Sequence, residues 1–284
     1  MEQIENKAWA LMVDGYDLHI HTAPSAFPRA LDSWELVNEA SQAGMAGVML
    51  KSHYESTAIR AELINRYSNC TAKAYGGIAL NWPVGGLNVY AVENALKVGA
   101  KIVWMPTRDS ANSLEFGNMD GDFFEREGIY ILTPDEKLKP CIYDIMDTVK
   151  KYDATLATGH LSPKESILLC REGCKRGVRM ILTHPEFPRT KIPAHIQKEL
   201  ADDGVLIEKN WFNVAQGAVS IQQMTQTILD VGTGRTFIAT DRGQGGEPRP
   251  VPELHRFICE LLKQGLNDAQ IRDMVCFVPK SIVG

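Results

Sequence analysis

The chain alternates strand-like and helix-like segments eight times, and this alternation narrows the fold more than any other feature. The apolar runs are "YDLHIH" (16–21), "GVMLK" (47–51), "AYGGIAL" (74–80), "KIVWMP" (101–106), "ATLAT" (154–158), "VRMILT" (178–183), "VLIEK" (205–209) and "TFIAT" (236–240). Helical patterns with their own start and stop residues lie between them. Asp32 or Ser33 caps "WELVNEASQA", which stops at Gly44, and Asn88 opens "VYAVENALKV", which stops at Gly99. "SPKE" (162–165) is a capping box with proline at the first helical position. "NDAQ" (267–270) is a weaker box, and a helix from Ile221 ends before Gly232. A strand that returns parallel needs a crossover, so the repetition predicts a parallel sheet. Eight such units in 284 residues predict a single-domain (β/α)8 TIM barrel over 1–284. An open doubly wound sheet is the alternative, weakened because "GGIALNWPVGG" lacks a dinucleotide fingerprint. Residues 107–140 are too long for an ordinary βα loop. There "GIYIL" followed by "DEKLK" predicts a small inserted hairpin, either a lid over the barrel mouth or a plain insertion.

Composition removes several function classes. The formal net charge is −5, which argues against nucleic acid as a main partner. No apolar run approaches the roughly 18–20 residues of a membrane span. The opening "MEQIENKAWALMVDGYD" is too acidic and interrupted for a secretory signal. Of the six cysteines none forms a C-x-x-C pair, and Cys170 and Cys174 fall one helical turn apart. Reduced thiols in a cytoplasmic protein are the expectation, without a cysteine zinc site.

The histidines are distributed unevenly. On a strand, residues two apart share a face, so Asp17, His19 and His21 are expected on one side and Leu18 and Ile20 on the other. His53 follows strand two, His160 ends strand five and His184 ends strand six, while His195 and His255 fall in helical stretches. Five of seven histidines therefore sit at strand C-terminal ends, which in a barrel form the face that carries active sites. Asp241 in "ATDRGQ" holds the equivalent place on strand eight. His19, His21, His160, His184 and Asp241 thus form a candidate metal centre for one or two divalent cations. A divalent cation lowers the pKa of bound water and polarises a carbonyl, and Asp241 is the candidate general base and proton shuttle. Asp17 is expected to orient a histidine from behind. Glu165 is explained by its capping box alone.

The stretches "DLHIHTAPS", "GVMLKSH", "YGGIALNWPVGGLNVYAVENAL", "GAKIVWMPT", "LATGHLSPKE", "ILTHPE", "LIEKNW" and "TDRGQ" cover nearly the whole chain. In their order of His-x-His, His, His and Asp they resemble the amidohydrolase superfamily of metal-dependent hydrolases. They are more closely similar to an uncharacterised amidohydrolase-like family, a conserved domain of unknown function. The resemblance implies zinc as the first choice of metal, with manganese, iron and nickel as alternatives. It departs from the superfamily at strand four. Many members there carry a carboxylated lysine or a glutamate that bridges two metals, whereas this chain has "WMPTRDS". Lys51, at the end of strand two, is the available substitute: a carboxylated bridge, an ammonium that polarises substrate, or a rim lysine.

The resemblance implies cleavage of an amide, lactam, imide or ester bond in a small, anionic molecule. Candidate substrate contacts are His53, Asn81, Arg108, Glu208 and Arg242, with Arg29 and Lys209 as further cations at the mouth. Parity puts Glu208 and Asn210 together but does not say on which face. Three other readings remain: a single-metal decarboxylase or hydratase, a phosphoesterase, and a non-catalytic metal-binding protein. The expected partner is a small molecule, and self-association is left open.

Overall fold

A computed structural model describes residues 2–117 and 125–284. Its eight strands are β1 (Tyr16–His21), β2 (Gly47–Lys51), β3 (Lys73–Ala79), β4 (Ile102–Trp104), β5 (Thr155–Ala157), β6 (Arg179–Leu182), β7 (Leu206–Asn210) and β8 (Thr236–Ala239). Each pairs in parallel with its sequence neighbour, in the order β1 to β8. The last gap closes where β1 meets the chain leaving β8: the Asp241 amide donates to the His19 carbonyl at 2.9 Å, and the His21 amide to the Arg242 carbonyl at 2.8 Å. The sheet is thus a (β/α)8 barrel and not an open doubly wound sheet.

Period-two alternation places the core in two layers. Met49, Ala79, Trp104, Ile181 and Phe237 fill the barrel interior. Val48, Leu50, Val103, Met180 and Ile207 face outward onto the helices. The filling is uneven in size, and Trp104 fits because Gly77 opposes it; a methyl group at Gly77 would collide with the indole. Val278 and Ile282, from the C-terminal helix Val278–Val283, pack with Tyr16 against the N-terminal ends of the strands. That leaves the opposite end as the open mouth.

One alternation fails. The register of β1 against β2 shifts between Asp17 and Ile20, which is a β-bulge. Leu18 therefore joins the interior layer while Ile20 joins the outer one, and they do not share a side. Asp17 meets His19 only through the backbone: its carboxylate accepts from the His19 amide at 3.2 Å, from the Thr240 hydroxyl at 2.6 Å and from the Thr240 amide at 3.1 Å. It ties β1 to β8 instead of orienting a ring.

The capping signals act as read. Asp32 forms a capping box with Glu35, Ser162 with Glu165 and Asn267 with Gln270. Glu165 also accepts from the Ile131 amide at 3.1 Å, which fastens the long segment after β4 to the barrel wall. That segment is less regular than expected. In place of a two-stranded hairpin there is one antiparallel bridge, Leu132 with Leu138, around a tight turn. A short helix, Ala111–Phe116, precedes it. Part of the expected lid, residues 118–124, lies outside the described residues.

Two cations expected at the mouth are placed elsewhere. Lys209 points away from the barrel axis and is fully buried, with Nζ donating to Glu186 at 2.5 Å and to Gln197 at 2.6 Å. Arg242 is buried against Glu253, to which it donates at 2.7 and 3.0 Å, and Trp211 Nε1 donates to the same carboxylate at 2.6 Å. Neither guanidinium nor ammonium is turned toward a substrate. Removing one member of a buried pair strands the other charge, at a cost of about 3–5 kcal/mol. Lys209→Met is expected to lose stability on that scale in denaturant titration, and the double variant Lys209→Met/Glu186→Gln to lose less. A single variant as stable as the parent contradicts a mutual dependence of the two charges.

Candidate metal centre

The bulge in β1 brings both of its histidines to the mouth. His19 Nε2 and His21 Nε2 each lie 3.1 Å from Asp241 Oδ1. Among the described residues, these three are the one set of His, Cys, Asp and Glu donors whose atoms all lie within 4.8 Å of one another. The remaining strand-end histidines extend the cluster. Ring centroids are 5.8 Å apart for His19 and His184, 5.0 Å for His184 and His160, 6.0 Å for His160 and His53, and 4.7 Å for His53 and His21. Five imidazoles from β1 and the loops after β2, β5 and β6 thus ring the mouth, with Asp241 beside them.

Hydrogen bonds decide which ring nitrogen faces inward. His19 Nδ1 meets Glu208 Oε1 at 2.5 Å. A carboxylate accepts only, so Nδ1 carries the proton in that bond and Nε2 keeps its lone pair when the ring is neutral. His184 Nδ1 lies 3.2 Å from the Thr190 hydroxyl, which itself donates to the His184 carbonyl. The same argument leaves the His184 Nε2 lone pair available. His160 Nδ1 is 3.2 Å from Ser113 Oγ, and His53 Nδ1 is 2.8 Å from Thr107 Oγ1. Partners of this kind fix ring orientation and tautomer in metal sites. His21 Nδ1 is buried without a partner among the described residues.

The electrostatics of the cluster favour a cation. Burial drives the imidazoles of His21 and His184 down to about 3, so both are neutral donors at neutral pH. Burial holds His53 and His160 well below their ordinary value too. His19 behaves oppositely. Burial pulls it down, but the Asp241 and Glu208 carboxylates outweigh burial and the opposing Lys51, raising it to about 9. Burial pushes Asp241 up, yet His19 and His21 overcome that and keep it well below the carboxylate range. The cluster therefore draws one positive charge between two carboxylates while keeping four other imidazoles unprotonated. That donor set fits a borderline divalent ion.

Backbone strain sits at the same place. His184 has φ 31° and Asp241 φ 52°, both left-handed and non-glycine. Such residues cost about 1–3 kcal/mol each and persist where surrounding contacts hold them. Gly243 follows at φ 116°, and any side chain there would collide with the His21 carbonyl.

Lys51 is inside the cluster and not at the rim: it is 2% exposed, its Nζ lies 2.8 Å from His19 Nε2, and burial lowers its pKa. Two expected substrate contacts instead support the site from behind. Glu208 is buried on His19. Asn81 is fully buried, donating to the His53 carbonyl at 2.8 Å and to Thr107 Oγ1 at 2.6 Å. Neither lines the cavity, because β7 and the turn after β3 direct these side chains toward protein partners. His53 and Arg108 do line it.

The cavity above the cluster holds about 580 Å³. Its walls add residues that strand-end reasoning passed over: Arg189 and the aromatic rings of Phe27, Phe187 and Phe212. Ser113, Thr107 and Thr190 were also unread, because a hydroxyl in a loop carries no periodic signal. A larger groove of about 730 Å³ runs on the outer surface beside Trp34 and Tyr67, away from every histidine.

If Glu208 orients His19 as a ligand, Glu208→Gln is expected to weaken divalent-metal affinity about 10–100-fold in competition with a chelator. Equal affinity in Glu208→Gln and the parent removes the orienting role.

Among solved structures the fold is shared with an amidohydrolase from Pseudomonas aeruginosa, at TM-score 0.64 and 13% identity over 97% of this chain and 98% of that one. It is shared too with the metallopeptidase dipeptidase AC, at TM-score 0.68 and 10% identity over 96% and 98%. An organophosphorus hydrolase from Deinococcus radiodurans matches at TM-score 0.59 and 10% identity over 96% and 94%. No curated protein sequence matches the chain. A family model does match, over residues 14–208, a span that holds His19, His21, Lys51, His53, His160, His184 and Glu208 but ends before Asp241. By that match the chain belongs to the family of unknown function DUF6282.

Proposed function

We propose that this chain is a metal-dependent hydrolase acting on an amide, lactam, imide or ester carbonyl in a small anionic molecule. The observation that carries the reading is the buried trio of His19, His21 and Asp241, with further oriented imidazoles beside it, at the floor of a ligand-sized cavity. His19, His21 and Asp241 would hold the ion, with His160 and His184 as additional ligands. When bound, it supplies a nucleophile from water near neutral pH and polarises a carbonyl.

The chain's own groups supply the rest. Asp241 stays ionised, and its side chain is 17% exposed toward the cavity, so it can accept a proton and return it to a leaving group. Glu208 keeps the proton on His19 Nδ1. Phe187 and Phe212, with ring centroids 6.4 Å apart, cover one side of the cavity and limit water. No helix among the described residues is long and apolar enough to cross a membrane. The proposed setting is cytoplasmic, where thiols such as the six free cysteines stay reduced.

The role of Lys51 separates two versions of the chemistry. A buried amine with lowered proton affinity is the form that carbon dioxide carboxylates, and a carbamate there would bridge two ions. An unmodified Lys51 beside a single trio favours the one-metal decarboxylase or hydratase. Elemental analysis of purified protein and Lys51→Ala, both with bicarbonate, tells them apart. About two equivalents of metal, falling toward one in the variant, support the binuclear hydrolase. About one in both removes the bridge and favours the lyase. No metal in either, without chelator exposure, overturns the proposal.

A further inference from the structure

The cations near the mouth divide by what they face. Arg60 is held by Glu55 and the Pro24 carbonyl, and Arg126 by Asp109. Arg242 and Lys209 are held by buried carboxylates. Arg29 has no carboxylate within salt-bridge distance among the described residues; its Nε donates only to Ser25 Oγ, at 3.3 Å. Yet it is half-buried and lines the cavity beside Asp241 and Gln244.

Its position is fixed by the backbone. Arg29 forms an antiparallel bridge with Gln244, the Ala30 amide donates to the Gly243 carbonyl at 3.0 Å, and the Gly245 amide donates to the Pro28 carbonyl at 3.0 Å. These bonds zip residues 28–30 onto the loop that carries Asp241. Arg29 is therefore presented by the same loop contact that shapes the metal centre. Burial is the main influence against the Arg29 charge, which Tyr54 and the Asp241 carboxylate favour and the neighbouring Arg108 opposes. Arg108 lies over the Phe27 ring, 5.0 Å from its centroid, on the same wall. A guanidinium without a carboxylate partner in a partly desolvated cavity is relieved by an anion, and a planar carboxylate matches the guanidinium fork.

We propose that Arg29 is the receptor for a carboxylate of the substrate, whose flat apolar body lies among Phe27, Phe187 and Phe212 and so brings its reactive bond over His21 and Asp241. The assignment deepens the hydrolase reading and rests on it only for the chemistry at the reacting end. It makes the substrate class an unsaturated or aromatic carboxylate and makes Arg29 the residue that selects it.

The probe is benzoate, with benzamide as its neutral counterpart, titrated calorimetrically into the protein as purified and after removal of metal by chelator. Benzoate is expected to bind the parent saturably, and benzamide at least about 10-fold more weakly. Arg29→Gln is expected to weaken benzoate about 10–100-fold, leaving benzamide binding and metal content unchanged, with Arg29→Lys recovering part of the loss. Benzoate binding that is unaltered in Arg29→Gln, or lost on chelation but not in Arg29→Gln, places the anion on metal and overturns the assignment. Absence of saturable benzoate binding to the parent up to tens of millimolar also overturns it. Arg29-dependent binding to a chain that holds no metal sinks the hydrolase reading and leaves this one standing; metal with Arg29-independent binding does the reverse.

Discussion

At the seam where β1 meets the chain leaving β8, the Asp241 amide bonds to the His19 carbonyl and the His21 amide to the Arg242 carbonyl. These bonds close the barrel, and they join the residues whose side chains form the candidate ligand trio. Asp17 reinforces the seam through the hydroxyl and amide of Thr240. Arg242 reinforces it through Glu253 and Trp211. Fold closure and metal chemistry therefore draw on one set of contacts. The left-handed backbone at Asp241 is tolerable only because so many hydrogen bonds specify it.

Around that seam the barrel converts distant sequence into a compact electrostatic device. Burial alone would leave every imidazole neutral. Two carboxylates, Asp241 and Glu208, approach His19 from opposite ring nitrogens and reverse the preference for that one residue. Neutral imidazoles beside an acceptor pair are the condition a divalent cation needs. The hydroxyls of Thr107, Ser113 and Thr190 hold the rings of His53, His160 and His184. They reach them from the loop after β4, from the short helix behind it and from the loop after β6. The irregular segment after β4 is thus part of the support of the site, whatever else it covers.

Much of this was legible in the chain. Each strand falls inside its apolar run or shifts by one residue, because parallel barrel strands are buried on both faces and read as continuous hydrophobic stretches. The capping residues Asp32, Asn88, Ser162 and Asn267 marked helix starts through local side-chain chemistry that tertiary packing did not override. The clustering of His19, His21, His53, His160, His184 and Asp241 followed from strand ends and the barrel alone. Strict parity failed at β1, where a bulge between Asp17 and Ile20 moved Leu18 inward. It left open which way β7 faces.

Periodicity and capping act over a few residues, so the order of residues settled the eight-unit barrel and the side on which its histidines gather. Partnership across tens or hundreds of residues is invisible to such patterns. That Glu208 serves His19, that Lys209 answers to Glu186 behind the wall, and that Arg242 is buried while Arg29 faces the cavity depended on register and on which loops meet. Charged side chains of one type look alike in sequence. Burial and the nearest counter-charge, which exist only once the barrel has closed, make one a strut and another a receptor.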